Sequence, residues 1–357
     1  MKILQMAPRL PILGELSPPA HPTKTPILGS QRQTAFPFRF PQNWGLGGLF
    51  FLLLLAFPLS ASAQAIDREA TYRNALPLYQ YDTHQPLSIK VTETHALDNA
   101  RLQRFTYQSA NGQRVPALLF TPMTASQTHT VPCLILLHGL GGSKEMMAGL
   151  ALAAVQNGYA ALAIDEYGQG ERTIAANGQT KTPGEQLALT VRQTALDVRR
   201  GLDYLGTRRD INSQKIGMVG LSLGAIIGTV TAGVEPRIKA SALISGGGDW
   251  GLIMQTLTAR HATVGGHSTA GFAGMDWNLV SAALAPEDPL TFAAHITPRA
   301  LLMLHGRKDD VIVPQAAQEL YAAASQPKAI QWFAPYGHIP PPEVVYPALK
   351  AFFARRL

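Results

Sequence analysis

The sequence predicts an α/β fold in which a mostly parallel central sheet carries helices on both faces. Two observations predict it. Short apolar runs recur along the chain, VPCLILLH (131–138), YAALAID (159–165), KIGMVGL (215–221), IKASALI (238–244), RALLMLHG (299–306) and AIQWFA (329–334); unbroken runs of this length belong to strands buried on both faces. Helical patterns lie between or after them, at 143–157, 186–206, 223–233, 315–325 and 343–355. The clearest is LALTVRQTALDVRRGLDYL, whose apolar residues return every third or fourth position opposite a charged face. Strand and helix in alternation give a doubly wound sheet, and ligands bind such a sheet at the carboxyl ends of its strands.

Taken in chain order, residues 1–65 read as a leader. GLGGLFFLLLLAFP (45–58) is an apolar core that follows Arg32 and Arg39 and precedes SASAQA, the layout of a secretory signal with cleavage near Ala63 or Ala65. The apolar run is short for a bilayer span of about 20 residues. Export to a periplasmic or extracellular space, with no lasting membrane insertion, is therefore expected; an uncleaved signal serving as a membrane anchor is the alternative. Lys2, Arg9, Lys24, Arg32 and Arg39 against Glu15 give the leader +4 of the chain's +7. The remainder is only weakly basic and holds no Lys/Arg run interleaved with aromatics, which argues against nucleic acid as a partner.

Residues 66–100 are polar and weakly patterned, and read as an extension lying on the surface of a catalytic domain at 101–357. RLQRFTYQS and RVPALLFTP flank an Asn-Gly turn, a hairpin signal that places two antiparallel strands, near 102–109 and 114–121, at the opening of the sheet. The stretch 246–289 is longer than a plain crossover and reads as a small cap over the site. Cys133, the only cysteine, sits in an apolar run and reads as a buried strand residue, so an intramolecular disulfide is excluded.

The chemistry concentrates after the strands. GLSLG (220–224) lies between KIGMV and AIIGTVTAG, the strand, tight turn and helix that a nucleophile elbow requires, with Ser222 at its apex. A hydroxyl needs a base within hydrogen-bond reach and a carboxylate to orient that base, and in this fold they follow the serine as Asp or Glu, then His. LMLHGRKDDVIVP offers Asp309 and Asp310 past one strand, and WFAPYGHIPP offers His338 past the last. HGLGG (138–142) follows an earlier strand, so the backbone amides of Leu140 and Leu223 are the expected oxyanion donors. GLGGSK lacks the spacing of a phosphate-cradling loop, and neither a His-Glu-x-x-His motif nor a Cys pair is present, so neither cofactor nor metal is expected. Trp250, Met254 and Trp277 are candidates for the substrate pocket. His261, His267 and His295 read as bystanders or pocket lining, His305 as a buried, hydrogen-bonded strand-end residue, and Asp165 and Arg172 of DEYGQGER as loop-stabilising.

The series HGLGG, DEYGQGER, GLSLG, HGRKDD followed by VP, then GH resembles the dienelactone-hydrolase and acetylxylan-esterase-like branch of the α/β-hydrolases, close to the catalytic domains of prolyl-oligopeptidase-type enzymes. The likeness covers about residues 101–357. It implies an α/β-hydrolase fold with a cap insertion, a serine hydrolase cleaving small carboxylic esters, and Asp309 in preference to Asp310 as the acid. Dienelactone hydrolases usually carry Cys where this chain has Ser222, which counts against lactones, and the residues before 101 are too few for the propeller of the peptidases. A peptidase or amidase is the alternative within enzymes, and a non-catalytic relative the alternative outside them.

Overall fold

The computed structural model describes residues 65–173, 181–264, 266–270 and 273–357. The leader read from residues 1–65 lies outside them but for its last residue, Ala65. Among the described residues no helix is long and apolar enough to cross a membrane.

The polar stretch 66–100 contributes more than a surface extension. Asp67 caps helix α1 (Arg68–Ala75) by accepting from the amide of Ala70, and strand β1 (Lys90–Ala96) pairs antiparallel with β2 (Ala100–Gln108). The expected hairpin, β2 with β3 (Arg114–Pro122), is present, but β1 stands outside it at the sheet's edge. All seven residues of β1 are exposed, so it carries none of the apolar alternation that announces a strand; backbone pairing with β2 chiefly holds it, helped by the Thr92 hydroxyl on the Arg104 carbonyl.

Six further strands complete the sheet: β4 (Val131–Leu137), β5 (Ala160–Ile164), β6 (Ile211–Leu221), β7 (Ile238–Ile244), β10 (Ala300–Gly306) and β11 (Lys328–Phe333), while β8 (Thr263–Val264) and β9 (His267–Ser268) form a separate two-residue hairpin. The order is β1-β2-β3-β5-β4-β6-β7-β10-β11. From β5 to β11 every pairing is parallel; β1, β2 and β3 are antiparallel to their neighbours. Register decides where the chemistry meets: Leu137 pairs with Gly220, Leu221 with Ile244, and Ile244 with Leu304. The residues that follow, His138, Ser222, Ser245 and His305, therefore stand side by side along one rim.

Alternation along the buried strands feeds two cores. Ile135, Leu137, Leu162, Met218 and Leu243 face one side, covered by α3 (Pro183–Thr207), α4 (Leu223–Val234) and α8 (Pro314–Ala323). Leu134, Leu136, Ala161, Val219 and Ala242 face the other, covered by α2 (Ala148–Gln156) and α9 (Pro342–Phe353). Thr182 and Glu185 form a reciprocal capping box at the start of α3, which fixes where this 25-residue helix begins.

The cap leaves the sheet after β7. It contains α5 (Trp250–Ala259), the β8–β9 hairpin and α6 (Trp277–Ala283), and returns through α7 (Pro289–Phe292). Its two ends are tied by the carboxylate of Asp288, which accepts from the amides of Asp249, Trp250 and Leu290 and lies fully buried. An Asp288→Ala variant strands those three donors without an acceptor. It is expected to lose about 2–4 kcal/mol, read as a lower midpoint in urea unfolding with an unchanged m value.

Candidate active site

Ser222 sits between β6 and α4 with φ 55° and ψ −115°, a conformation that costs on the order of 1–3 kcal/mol for a residue with a side chain. Its neighbours make the turn possible. A Cβ on Gly220 would meet the carbonyl oxygen of Gly224 at 2.2 Å, and one on Gly224 would meet the His138 carbonyl at 2.4 Å. The helix start thus packs backbone against backbone on the end of β4. The amide of Ser222 donates to the carbonyl of Ile244 at 2.9 Å, which fastens the turn to β7.

Two distant stretches converge on this serine. His338, in the loop after β11, places Nε2 2.8 Å from Ser222 Oγ and Nδ1 2.9 Å from both carboxylate oxygens of Asp309. Asp309 Oδ1 also accepts from the amides of Val311 and Ile312 at 2.9 Å each. Burial by itself would raise its pKa; hydrogen bonds from His305 and His338 outweigh it and hold the carboxyl at about 2. Asp310 points away, 72% exposed and 3.8 Å from Arg260, so geometry separates two carboxylates that adjacency in sequence leaves equivalent.

Two supports escaped the sequence reading. Ser245, itself at positive φ, donates its hydroxyl to the carbonyl of His338. His305 is buried as expected, and in addition its Nε2 lies 3.2 Å from Asp309 Oδ2. His295 stacks on Tyr72 of α1, and His261 is exposed at the end of α5. The side chain of His267 lies outside the described residues.

Leu140 lies in the loop after β4, and this loop is tethered to the one after β5. Lys144's amide donates to Asp165 Oδ1 at 2.8 Å, Gly141's amide to Gln169 Oε1 at 2.7 Å, and Glu166's amide to His138 Nε2 at 3.3 Å. Gly170 makes room for Asp165: at its φ of 56° a Cβ would touch that carboxylate at 2.4 Å. Arg172 reaches Asp197 of α3 at 2.5 Å. Asp165 and Arg172 thus brace the loop, as the motif suggested, while Gln169 and Glu166 add tethers that nothing in the sequence announced. Lys144 is buried, its ammonium 2.9 Å from Asp165 and 2.6 Å from Glu171, so it is committed to carboxylates and presents no charge to a phosphate.

Leu140, Ser222 and Leu223 border one cavity of about 110 Å³, whose other walls include Leu187, Ile226, Trp250, Ile253, Met254, Leu257, Val311 and Ile312. Trp250, Ile253, Met254 and Leu257 are one stripe of α5 at helical spacing. Trp277 is not among the walls. It opens α6, whose backbone packs on Gly251, off that stripe, so the expectation that Trp277 lines the pocket is corrected. A larger cleft of about 310 Å³ between α2 and α9 holds no nucleophile with a base beside it.

The dienelactone hydrolase family model matches residues 115–338. The chain belongs to the dienelactone hydrolase family. Among sequence relatives, YfhR, an uncharacterised protein of Escherichia coli, is 24% identical over 247 residues, 69% of this chain and 72% of YfhR. Among solved structures, an acetyl xylan esterase from Paenibacillus sp. R4 superposes with a TM-score of 0.67 at 22% identity, covering 82% of this chain and 95% of that one. Acetyl xylan esterase 1 from Thermoanaerobacterium sp. gives 0.63 at 19% identity, covering 81% and 93%. The architecture they share with this chain is the α/β-hydrolase fold.

This member of the dienelactone hydrolase family keeps an unusual group behind the Leu140 loop. Both carboxyl oxygens of Glu166 are buried and meet no partner among the described residues. Burial first, and then the neighbouring charge of Asp165, raises its pKa well above the ordinary 4.5, so the folded chain holds it as the neutral acid. The unfolded chain releases that proton once pH passes about 4.5, while the folded chain keeps it. Stability from this group is therefore greatest at acid pH and falls as pH rises, by about 1.4 kcal/mol per pH unit until the folded group itself ionises. Glu166→Gln removes the titration, so its stability relative to the parent should rise from pH 5 to pH 8 in urea unfolding; a constant or falling difference would contradict the assignment.

Proposed function

We propose that this chain is an exported serine esterase that cleaves small carboxylic esters through an acyl-enzyme. The observation that carries the reading is the continuous contact from Ser222 Oγ to His338 Nε2 at 2.8 Å and from His338 Nδ1 to Asp309 at 2.9 Å. An imidazole so held takes the serine proton as the hydroxyl attacks a carbonyl carbon, and Asp309, ionised down to about pH 2, stabilises the imidazolium that forms. The negative charge on the carbonyl oxygen falls to the amides of Leu140 and Leu223. Both border the serine's cavity, and Leu223 opens α4, where the first amides have no partner within the helix and the helix dipole favours an anion. His338 returns the proton to the leaving alcohol, then activates a water that releases the acid.

The cavity bears on the substrate. An apolar void of about 150 Å³ holds a benzene ring; at about 110 Å³ this one suits an acyl group of about two to four carbons. The acetyl xylan esterases that share the fold agree with an ester as substrate. Export is proposed from the leader sequence, which suits an acylated carbohydrate or another small ester met outside the cytoplasm.

Ser222→Ala should lower kcat on p-nitrophenyl acetate on the order of a millionfold and abolish labelling by a fluorophosphonate. Retention of near parental turnover would remove Ser222 from the reaction. In a p-nitrophenyl ester series, kcat/KM should be highest at two to four acyl carbons and fall beyond. Leu257→Ala, which shortens one wall of the cavity, should move that optimum to longer chains; an aminoacyl-amide panel cleaved faster than the esters would favour a peptidase.

A further inference from the structure

We propose that His305 is a positioning residue that locks the plane of the Asp309 carboxylate and so orients His338. The inference rests on the Ser222–His338–Asp309 reading and adds a fourth side chain to it.

The argument starts from which atoms hold the carboxylate. Oδ1 is fixed by two backbone amides, those of Val311 and Ile312. Hydrogen bonds at one oxygen leave slack for the carboxylate to rock through small coupled changes of its two side-chain torsions, and rocking carries Oδ2 out of the plane of the His338 ring. Besides His338, the group that meets Oδ2 is His305, with Nε2 at 3.2 Å.

The same Nε2 lies 2.9 Å from the carbonyl oxygen of Ile312. Two oxygens that only accept face one nitrogen, so that nitrogen carries a hydrogen and donates to both. The bonds close a ring: the Ile312 amide donates to Asp309 Oδ1, and His305 donates to the Ile312 carbonyl and to Asp309 Oδ2. Nδ1 of His305 is buried with no partner among the described residues. A purely structural histidine in a strand end satisfies both nitrogens or gives way to an apolar side chain, because an orphaned buried polar atom costs free energy. His305 tolerates that cost and directs its one satisfied nitrogen at the acid. The ring is wedged in place by Trp332, its partner across the β10–β11 ladder, in an edge contact at 5.4 Å.

The experiment compares His305→Leu, His305→Gln and His305→Asn with the parent and with Ser222→Ala on p-nitrophenyl acetate. The active fraction is titrated by fluorophosphonate and folding is checked by circular dichroism. A glutamine amide nitrogen reaches about where Nε2 lies; an asparagine amide reaches only about as far as Nδ1. The expected result is a loss of about ten- to hundredfold in kcat for Leu and Asn with KM within about twofold, and recovery of most of that kcat by Gln. A folded Leu variant with parental kcat overturns the proposal, as do Gln and Asn variants that lose equally. Should the Leu variant fail to fold, the Gln against Asn contrast decides alone. If Ser222→Ala still turns over or is still labelled, the esterase reading itself falls; if Ser222→Ala is dead and His305→Leu is not, only the role of His305 falls.

Discussion

Everything at the rim depends on the backbone contact between the start of α4 and the end of β4. With no side chain at Gly220 or Gly224, the helix approaches until Gly224 lies against the carbonyls of Leu137 and His138. That approach does two things at once. It forces Ser222 into its strained turn and brings the serine beside the Leu140 loop. A methyl group at either glycine would push the helix outward, and Ser222 and the loop would separate together.

The Leu140 loop is held just as firmly from its other side. Asp165 and Gln169 each accept one bond from it and the Glu166 amide donates one to His138, and the loop that supplies them is itself tied to α3 through Arg172 and Asp197. A backbone donor stabilises a developing charge well only if it need not reorganise as the charge forms. Three tethers from a loop that is braced at its far end meet that condition without placing a side chain near the substrate.

Much of this was legible in the sequence, and what was not has a physical explanation. Strands β4, β7 and β10 announce themselves because they are apolar on both faces, and Ser222 because the elbow needs glycines at fixed offsets. His338 and the pair Asp309/Asp310 could be found from the chain order of the triad, yet only three dimensions show that Asp310 faces solvent against Arg260. Strand β1 was silent because it is exposed throughout. Trp277 misled because an aromatic in a cap can sit off the helix face that lines the cavity, as it does at the start of α6. Ser245 and His305 were missed as supports for a common reason: a serine or histidine at a strand end has many bland uses, and its partner lies 93 residues away in one case and around a tight turn in the other.

Most of the broken local rules are gathered in one region. Ser222, Ser245 and Asp249, three of the non-glycine residues at positive φ, follow β6 and β7. The orphaned buried polar atoms, on Glu166 and His305, follow β5 and end β10. A fully buried carboxylate, Asp309, lies a few residues on. Each of these costs stability, and the two cores below, filled by alternating faces of the same strands, offset that cost. A chain selected for stability alone would relax such defects singly wherever they arose. Ser88 and His261, also at positive φ, lie elsewhere, but the clustering of the rest at the carboxyl rim of one sheet, near one small apolar cavity, is the pattern expected when strain is retained for the sake of chemistry.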